Sequence, residues 1–378
     1  MPPKTYFSRR LNASAIKLVL NLFAWGQDNV DLWRQYPHTP KDMPIHAVGN
    51  PRSDMLRSEI RTYYEKDAEA LRRTYGDFIL VNTNFNHVNA FGSDINLFMP
   101  VKNPGEKARF GRAARGMSRE YARGLWEHKH AVFSHFKDLV PALEQAFPEH
   151  TIVVRPHPTE NHQVYDDIAA RCRRVQVINE GNVVPWLMAA KALIHNGCTT
   201  AVEAYVLNVP AISYRASINE DYDDGFYRLP NGLSHQCFDF EELKQTLGKI
   251  LAGELGIPAG AECQSLIDRY LEAQDGPLAC ERMVSVLETM ANIQSGSEGQ
   301  SFSIGLQRWF LAKGLNVARH VKTRLPGSHN KPEYQLHRYP ELSLDDVRNR
   351  MARFQELLGY KKDFRIELVS NLMFRVEA

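Results

Sequence analysis

Along the first 75 positions the apolar residues recur mostly at helical spacing. Residues 13–25 carry a 3.6-residue periodicity and residues 57–75 are a charged run of good helix formers, so both are predicted helices in a mostly helical segment. Between them Ile45-His46-Ala47-Val48 reads as a short strand that breaks at Gly49-Asn50-Pro51. From residue 76 the pattern changes. Short apolar runs at 78–81, 151–154, 175–178, 192–195 and 211–214 alternate with helical segments at 118–146, 184–190, 199–207 and 241–251. Strands that are apolar throughout, each followed by a helix, predict a parallel sheet covered on both faces. The predicted organisation is therefore an α/β, Rossmann-like domain over 76–290, preceded by 1–75. A Ser-, Gly- and Gln-rich linker follows over 291–303. The chain closes with an apolar and basic helix over 304–325, a helix over 343–358 and a strand over 364–369. There is no internal repeat.

Parallel sheets of this kind hold ligands beyond the carboxyl ends of their strands. Three predicted strand exits are unusually polar: Asn82-Thr83-Asn84, Arg155-Pro156-His157-Pro158, and His195-Asn196-Gly197-Cys198-Thr199-Thr200. In the second, two prolines stiffen the exit, and Arg155 and His157 both offer donors that suit an anion. In the third, a strand turns through Gly197 into a helix that begins with hydroxyl residues, an arrangement that suits phosphate. A plain N-cap at Thr199 or Thr200, with Glu203 closing a capping box, is the alternative. The two motifs stand one βα unit apart, so His157 and the threonine pair can converge on one phosphoryl group.

Composition narrows the class. Of 378 residues 43% are apolar and 24% charged, which excludes disordered and fibrous chains, and a formal charge of +2 argues against a nucleic-acid partner. No apolar stretch is long enough to span a membrane and residues 1–10 lack a signal-peptide core, so a cytoplasmic location is expected. Five cysteines, widely spaced and without a CxxC pair, are expected as free thiols. Fourteen histidines show no metal-binding spacing, so neither metal nor cofactor is expected.

The RPHP tetrapeptide at 155–158, the Thr199-Thr200 helix start with Glu203-Ala204, and Val209-Pro210 together resemble the donor half of GT-B glycosyltransferases. More narrowly, they are similar to bacterial surface carbohydrate (capsule and lipopolysaccharide) biosynthesis proteins. That group is related to CMP-sugar-using sialyl-, polysialyl- and Kdo-transferases and to CDP-glycerol glycerophosphotransferases. Gly49-Asn50-Pro51-Arg52-Ser53-Asp54 resembles the segment leading into the donor domain of that group, and the resemblance covers residues 40–290. It implies a GT-B-like fold and an inverting transferase that moves a sugar, an acidic one from a CMP donor being favoured, to a glycan or lipid-linked acceptor without a catalytic metal. His157 would stabilise the leaving phosphate, Thr199 and Thr200 would bind it, and Glu203 would hold the ribose. Asn82 and Asn84 would border the nucleotide, with Arg155, His195, Asn196 and Gly197 completing the binding set.

Residues 1–75 are too few for a full acceptor-side domain, so a remnant of one is expected, as in a shortened homologue or a fragment. The basic helix at 304–325 suits either contact with the inner-membrane surface or packing back on the protein. Two other functions stay open. A nucleotide-sugar 2-epimerase or polyol-phosphate transferase of the same fold is one; an epimerase needs acid/base carboxylates, and Asp221, Asp223 and Asp224 read more simply as a solvated turn. A non-catalytic nucleotide-binding subunit is the other.

Overall fold

In the computed structural model residues 3–101, 103, 105–223, 227–294, 314, 323, 342–370 and 373–377 are described. The chain divides into two compact units, Met1–Met283 and Val284–Ala378. The first begins with helix α1 (Pro3–Arg10) and a 3-10 turn, then strand β1 (Leu22–Ala24), helix α2 (Gln27–Arg34) and strand β2 (Ile45–Ala47). β1 and β2 pair in parallel, Leu22 opposite Ile45 and Ala24 opposite Ala47. The helix expected over 13–25 is thus corrected to a 3-10 turn and a strand, and the segment to 75 is less helical than its periodicity suggested. Strand pairing satisfies the backbone of 22–24 and buries Ala24 completely, which a three-residue helical fragment could not do.

The sequence Gly49-Asn50-Pro51-Arg52-Ser53-Asp54 forms a capped turn of helix, α3 (Pro51–Asp54). Asn50 accepts from the Arg52 N–H as N-cap and proline sits at the first helical position. Asp54, 5% exposed, accepts from the Ala279 and Cys280 N–H groups at 2.8 and 3.0 Å, so it caps a helix more than 200 residues later. Helix α4 (Glu65–Tyr75) then leads into the main sheet.

That sheet has six parallel strands: β3 (Phe78–Asn82), β4 (Thr151–Arg155), β5 (Val175–Val177), β6 (Ala192–His195), β7 (Ala211–Tyr214) and β8 (His235–Cys237). Their order is β5-β4-β3-β6-β7-β8. The connecting helices are α5 (Arg119–Ala146) before β4, α6 (Gln163–Ala169), α7 (Val183–Ala189), α8 (Thr200–Val206), and the short α9 (Glu220–Asp223) and α10 (Arg228–Gly232). After β8 come α11 (Phe240–Leu251), α12 (Ala261–Tyr270) and α13 (Ala279–Gln294). This is the doubly wound α/β architecture, and its topological switch point lies between β3 and β6. β8 and the helices after α11 escaped the sequence reading because their apolar runs are too short or too mixed to stand out.

Alternation along β3 builds a core on each face. Ile79 and Val81 pack with Phe136, Leu139 and Leu143 of α5 and with Leu243 and Leu247 of α11. Phe78 and Leu80 pack against Ala68, Trp186, Leu187, Ala201 and Ala204, from α4, α7 and α8. All five residues of β3 are buried, so the central strand loses both faces to helices. Removing a fully buried ring such as Phe136 costs about 3–5 kcal/mol.

The expected linker over 291–303 is shortened at its start, because α13 continues to Gln294; good helix formers carry it up to the first Ser-Gly pair. Residues 295–303 lie outside the described residues. So does the basic helix expected over 304–325, except for positions 314 and 323. In the second unit α14 (Leu344–Leu358) starts with a capping box between Ser343 and Asp346 and ends at Gly359 in the left-handed region. The strand expected near 364–369 is β9 (Arg365–Ser370), and it pairs antiparallel with β10 (Met373–Glu377). Among the described residues no helix is long and apolar enough to cross a membrane.

Candidate functional site

Register places Arg155, Asn82 and His195 side by side as the last residues of β4, β3 and β6. The polar exits predicted from sequence therefore meet at one edge, at the switch point. Asn82 is 3% exposed, and its Nδ2 donates to Thr200 Oγ1 at 3.0 Å, tying the end of β3 to the start of α8. Its Oδ1 is buried and, among the described residues, has no partner. Asn84 and Asn196 join the same two loops: the Asn84 N–H donates to Asn196 Oδ1 at 3.0 Å, and Asn196 Nδ2 returns to the Asn84 carbonyl.

His195 is fully buried and works on the backbone. Its Nδ1 accepts from the N–H groups of Gly197 and Cys198 at 3.0 and 3.3 Å, and its Nε2 donates to Ser234 Oγ, which passes its own proton to the Pro230 carbonyl. Burial pushes its pKa down to about 3, so the ring is neutral. His195 thus holds the turn and occupies two N–H groups that a phosphate cradle would need. Thr199 is exposed and makes no side-chain cap; Thr200 is half-buried on Asn82. The capping-box alternative is not formed either, since Glu203 Oε1 accepts from Arg52 Nε at 2.7 Å. Glu203 Oε2 is buried and, among the described residues, has no partner.

Arg155 is not brought into this cluster. Side chains alternate along a strand, and the last residue of β4 falls on the α7 face. There its guanidinium stacks 4.8 Å from the Trp186 ring and donates to the carbonyls of Glu180 and Gly181 at 2.9 and 3.3 Å. Burial lowers its pKa to about 10, still far above neutral. Its role is to close the loop after β5.

His157 is placed by Glu160, which sequence reasoning missed. The Glu160 carboxylate is 0% exposed and accepts from the His157 N–H at 3.1 Å, Thr83 Oγ1 at 2.9 Å and Tyr165 OH at 2.7 Å. Burial raises its pKa against the pull of these donors. One carboxylate therefore pins the exit of β4 to the exit of β3. The His157 tautomer follows from its neighbours. Thr159 N–H donates to Nδ1 at 3.2 Å, and Thr159 Oγ1, which accepts from Asn86, donates to the same nitrogen at 2.8 Å. Nδ1 is thus an acceptor, and Nε2 carries the proton.

Behind Gly197 lies a recess enclosing about 20 Å³, room for one small group. Gly197 has φ +81, and a Cβ there would come within 2.4 Å of the Tyr227 ring, so only glycine permits this ring to lie against the turn. Tyr227 in turn sits under Lys129, whose Nζ is 3.8 Å from the ring centroid. Lys129 is 3% exposed and, among the described residues, has no carboxylate within ion-pair reach. A tyrosine face supplies about 2 kcal/mol or somewhat more to a desolvated cation, against a cost of several kcal/mol to desolvate an ammonium. His128 beside it donates from Nε2 to Asp223 Oδ1 at 2.8 Å, and Asp223 also pairs with Arg215 at 3.1 Å. Burial would raise the Asp223 pKa, but His128, Arg215 and the Asn219 N–H outweigh it and lower it. The reading of 221–224 as a solvated turn is corrected for Asp223, which lines the recess; Asp221 is exposed, and Asp224 lies outside the described residues. His87, on the loop after β3, has a pKa of about 3, driven down by burial and then by the charges of Lys129, Arg9 and His157.

A signal for this second group was present in the sequence. The apolar stripe of α5 runs Ala122, Leu125, Val132, Phe136, Leu139, Leu143, and His128 and Lys129 occupy the turn where apolar residues are due. All five cysteines are free, and among the described residues no group of His, Cys, Asp or Glu could hold a metal ion.

No protein-family model and no curated protein matches the sequence. Among solved structures the chain is similar to the wall teichoic acid polymerase TagF, at 12% identity and a TM-score of 0.47, over 75% of this chain and 61% of that one. It is also similar to UDP-GlcNAc 2-epimerase from Neisseria meningitidis bound to UDP-GlcNAc, at 12% identity and 0.40, over 72% and 62%. The epimerase from Methanocaldococcus jannaschii with UDP-GlcNAc and UDP stands at 13% and 0.38, over 72% and 62%. The chain thus spans about three fifths of the length of these proteins.

Proposed function

We propose that the chain is the nucleotide-sugar-binding half of a GT-B-type glycosyltransferase of bacterial surface polysaccharide biosynthesis, with a cytidine nucleotide as donor. The observation that carries this reading is the convergence of the β3, β4 and β6 exits at the switch point, linked by Asn82–Thr200 and by Thr83–Glu160–His157. In the proposed complex the donor phosphate lies between His157 and the threonine pair. His157 Nε2–H donates to the oxygen that gains charge as the sugar leaves, a neutral donor acting in place of a metal ion. Thr199 and Thr200 hydroxyls hold the same group. The orphan acceptors Asn82 Oδ1 and Glu203 Oε2 suit donors, and ribose hydroxyls supply them.

A thermal-shift panel of CMP, CDP, UDP and GDP tests the reading, since a ligand of the native state raises its melting point. A cytidine nucleotide is expected to give the largest shift and His157→Ala to reduce it. Equal, negligible shifts with all four would overturn the proposal.

One observation favours a second reading. Asp223 and His128 form a hydrogen-bonded carboxylate–imidazole pair in the recess, as a nucleotide-sugar 2-epimerase would need for proton transfer. Incubation with UDP-GlcNAc followed by product analysis separates the two: C2-inverted product, lost in Asp223→Asn, selects the epimerase.

A further inference from the structure

Lys129 is a buried cation whose only partner among the described residues is a ring face. It does not stand alone. Arg9 reaches the same region from α1, half-buried and with no carboxylate beside it among the described residues; burial, then Arg10, lowers its pKa. His87 is kept neutral there, after burial, by the fields of Lys129, Arg9 and His157. Among the described residues the one carboxylate lining the recess is Asp223, and both its oxygens are taken, Oδ1 by His128 and Oδ2 by Arg215 and the Asn219 N–H. Ser213 is committed to Asn231 at 2.8 Å. Among the described residues the group therefore has an excess of positive charge and no acid left to balance it. Side chains of this kind are buried when an anion completes them.

We infer that the recess behind Gly197 is a compact oxyanion site, with Lys129 as its central cation and Arg215 also on its wall, that takes a phosphoryl or carboxylate group of the substrate. Asn196 and Gly197, on the turn of the proposed nucleotide site, line it. It rests on that reading for the identity of the ligand, though not for the existence of the site. In an activated acidic sugar the ligand group is the sugar carboxylate; in a nucleoside diphosphate donor it is the second phosphoryl group. Tyr227 holds the ammonium at a fixed height, and Gly197 lets the ring lie flat enough to do so.

The test uses the full chain, with inorganic phosphate and glucuronate as probes of the two sources and sodium chloride at equal ionic strength as control. Phosphate, glucuronate or both are expected to raise the melting point of the wild type beyond the chloride control. The source that acts identifies the group, and chloride-like behaviour of both overturns the site whatever the variants do. Lys129→Met keeps the stem and removes the charge. It is expected to melt at or above the wild type without added anion, because an uncompensated buried charge is gone. It should bind the active probe about 10- to 100-fold more weakly. A variant that keeps the probe's full effect overturns the proposal. The nucleotide reading fails separately. CMP binding intact with no anion effect removes this site alone, whereas an anion effect lost in Lys129→Met with no binding of any nucleotide keeps this site and removes the donor assignment.

Discussion

Asn82 and Thr200 lie 118 positions apart and share a 3.0 Å hydrogen bond across the switch point of the sheet. The donor is buried, and its amide oxygen has no partner, so the pair is already half-satisfied. Thr200→Val removes the acceptor and leaves the whole amide unpaired. The expected cost is about 1–3 kcal/mol in urea denaturation, with weaker nucleotide binding. Unchanged stability would mean that the amide finds another partner.

Glu160 is a positioning residue for His157. Glu160→Ala orphans the Thr83 and Tyr165 hydroxyls and the His157 N–H, for an expected loss of about 3 kcal/mol or more. Glu160→Gln keeps the shape and two of the acceptor contacts and should be milder. Nitrogen NMR of the imidazoles checks the mechanism: wild-type His157 should show the Nε2–H tautomer, and Glu160→Ala a mixture. A wild-type proton on Nδ1 would contradict the geometry.

The acid limb of the stability curve belongs to His195 and His87. Both have a folded pKa of about 3 against an ordinary 6.5, so the unfolded chain binds their protons first. Their contribution is complete above pH 6.5 and is lost as pH falls from 6.5 toward 3, at about 1.4 kcal/mol per pH unit for each ring. Urea midpoints between pH 7 and pH 5 should drop accordingly. His195→Gln should roughly halve the slope while lowering stability at pH 7. A flat profile over that range would contradict the lowered folded pKa of both rings.

Gly197→Ala meets two obstacles. A left-handed alanine costs about 1–2 kcal/mol, and its Cβ would sit 2.4 Å from Tyr227. Tyr227 must move, and Lys129 loses its rest. The variant should melt lower and lose both nucleotide and phosphate stabilisation, as read by differential scanning calorimetry. Asn208, which already has φ 60, is a useful contrast: Asn208→Gly should leave binding unchanged.

The sheet was legible because its strands are short, apolar on both faces and followed by helices. The polar exits were legible because only strand ends leave such residues at one edge. What each exit residue does was less so. Arg155 and His157 stand two apart in one motif, yet the strand ends at Arg155, which stacks on Trp186, and beyond it a glutamate holds His157. His195 reads as a ligand and serves instead as an acceptor for its own turn. Pairings such as Arg52–Glu203, or Asp54 with the start of α13, join segments far apart in the chain, and local pattern cannot reveal them. Lys129 was hidden for the opposite reason: a charged residue on a long helix reads as solvated unless its place in the apolar stripe is counted.

The central claim is that one imidazole and one threonine-headed turn hold the same phosphoryl group. Calorimetric titration of CMP into the wild type, His157→Ala and Thr200→Val tests it directly. The account predicts single-site binding to the wild type and affinity about tenfold or more weaker in each variant. It also predicts a double variant hardly weaker than either single one, because both side chains serve one contact point. Wild-type affinity retained in both single variants would contradict it.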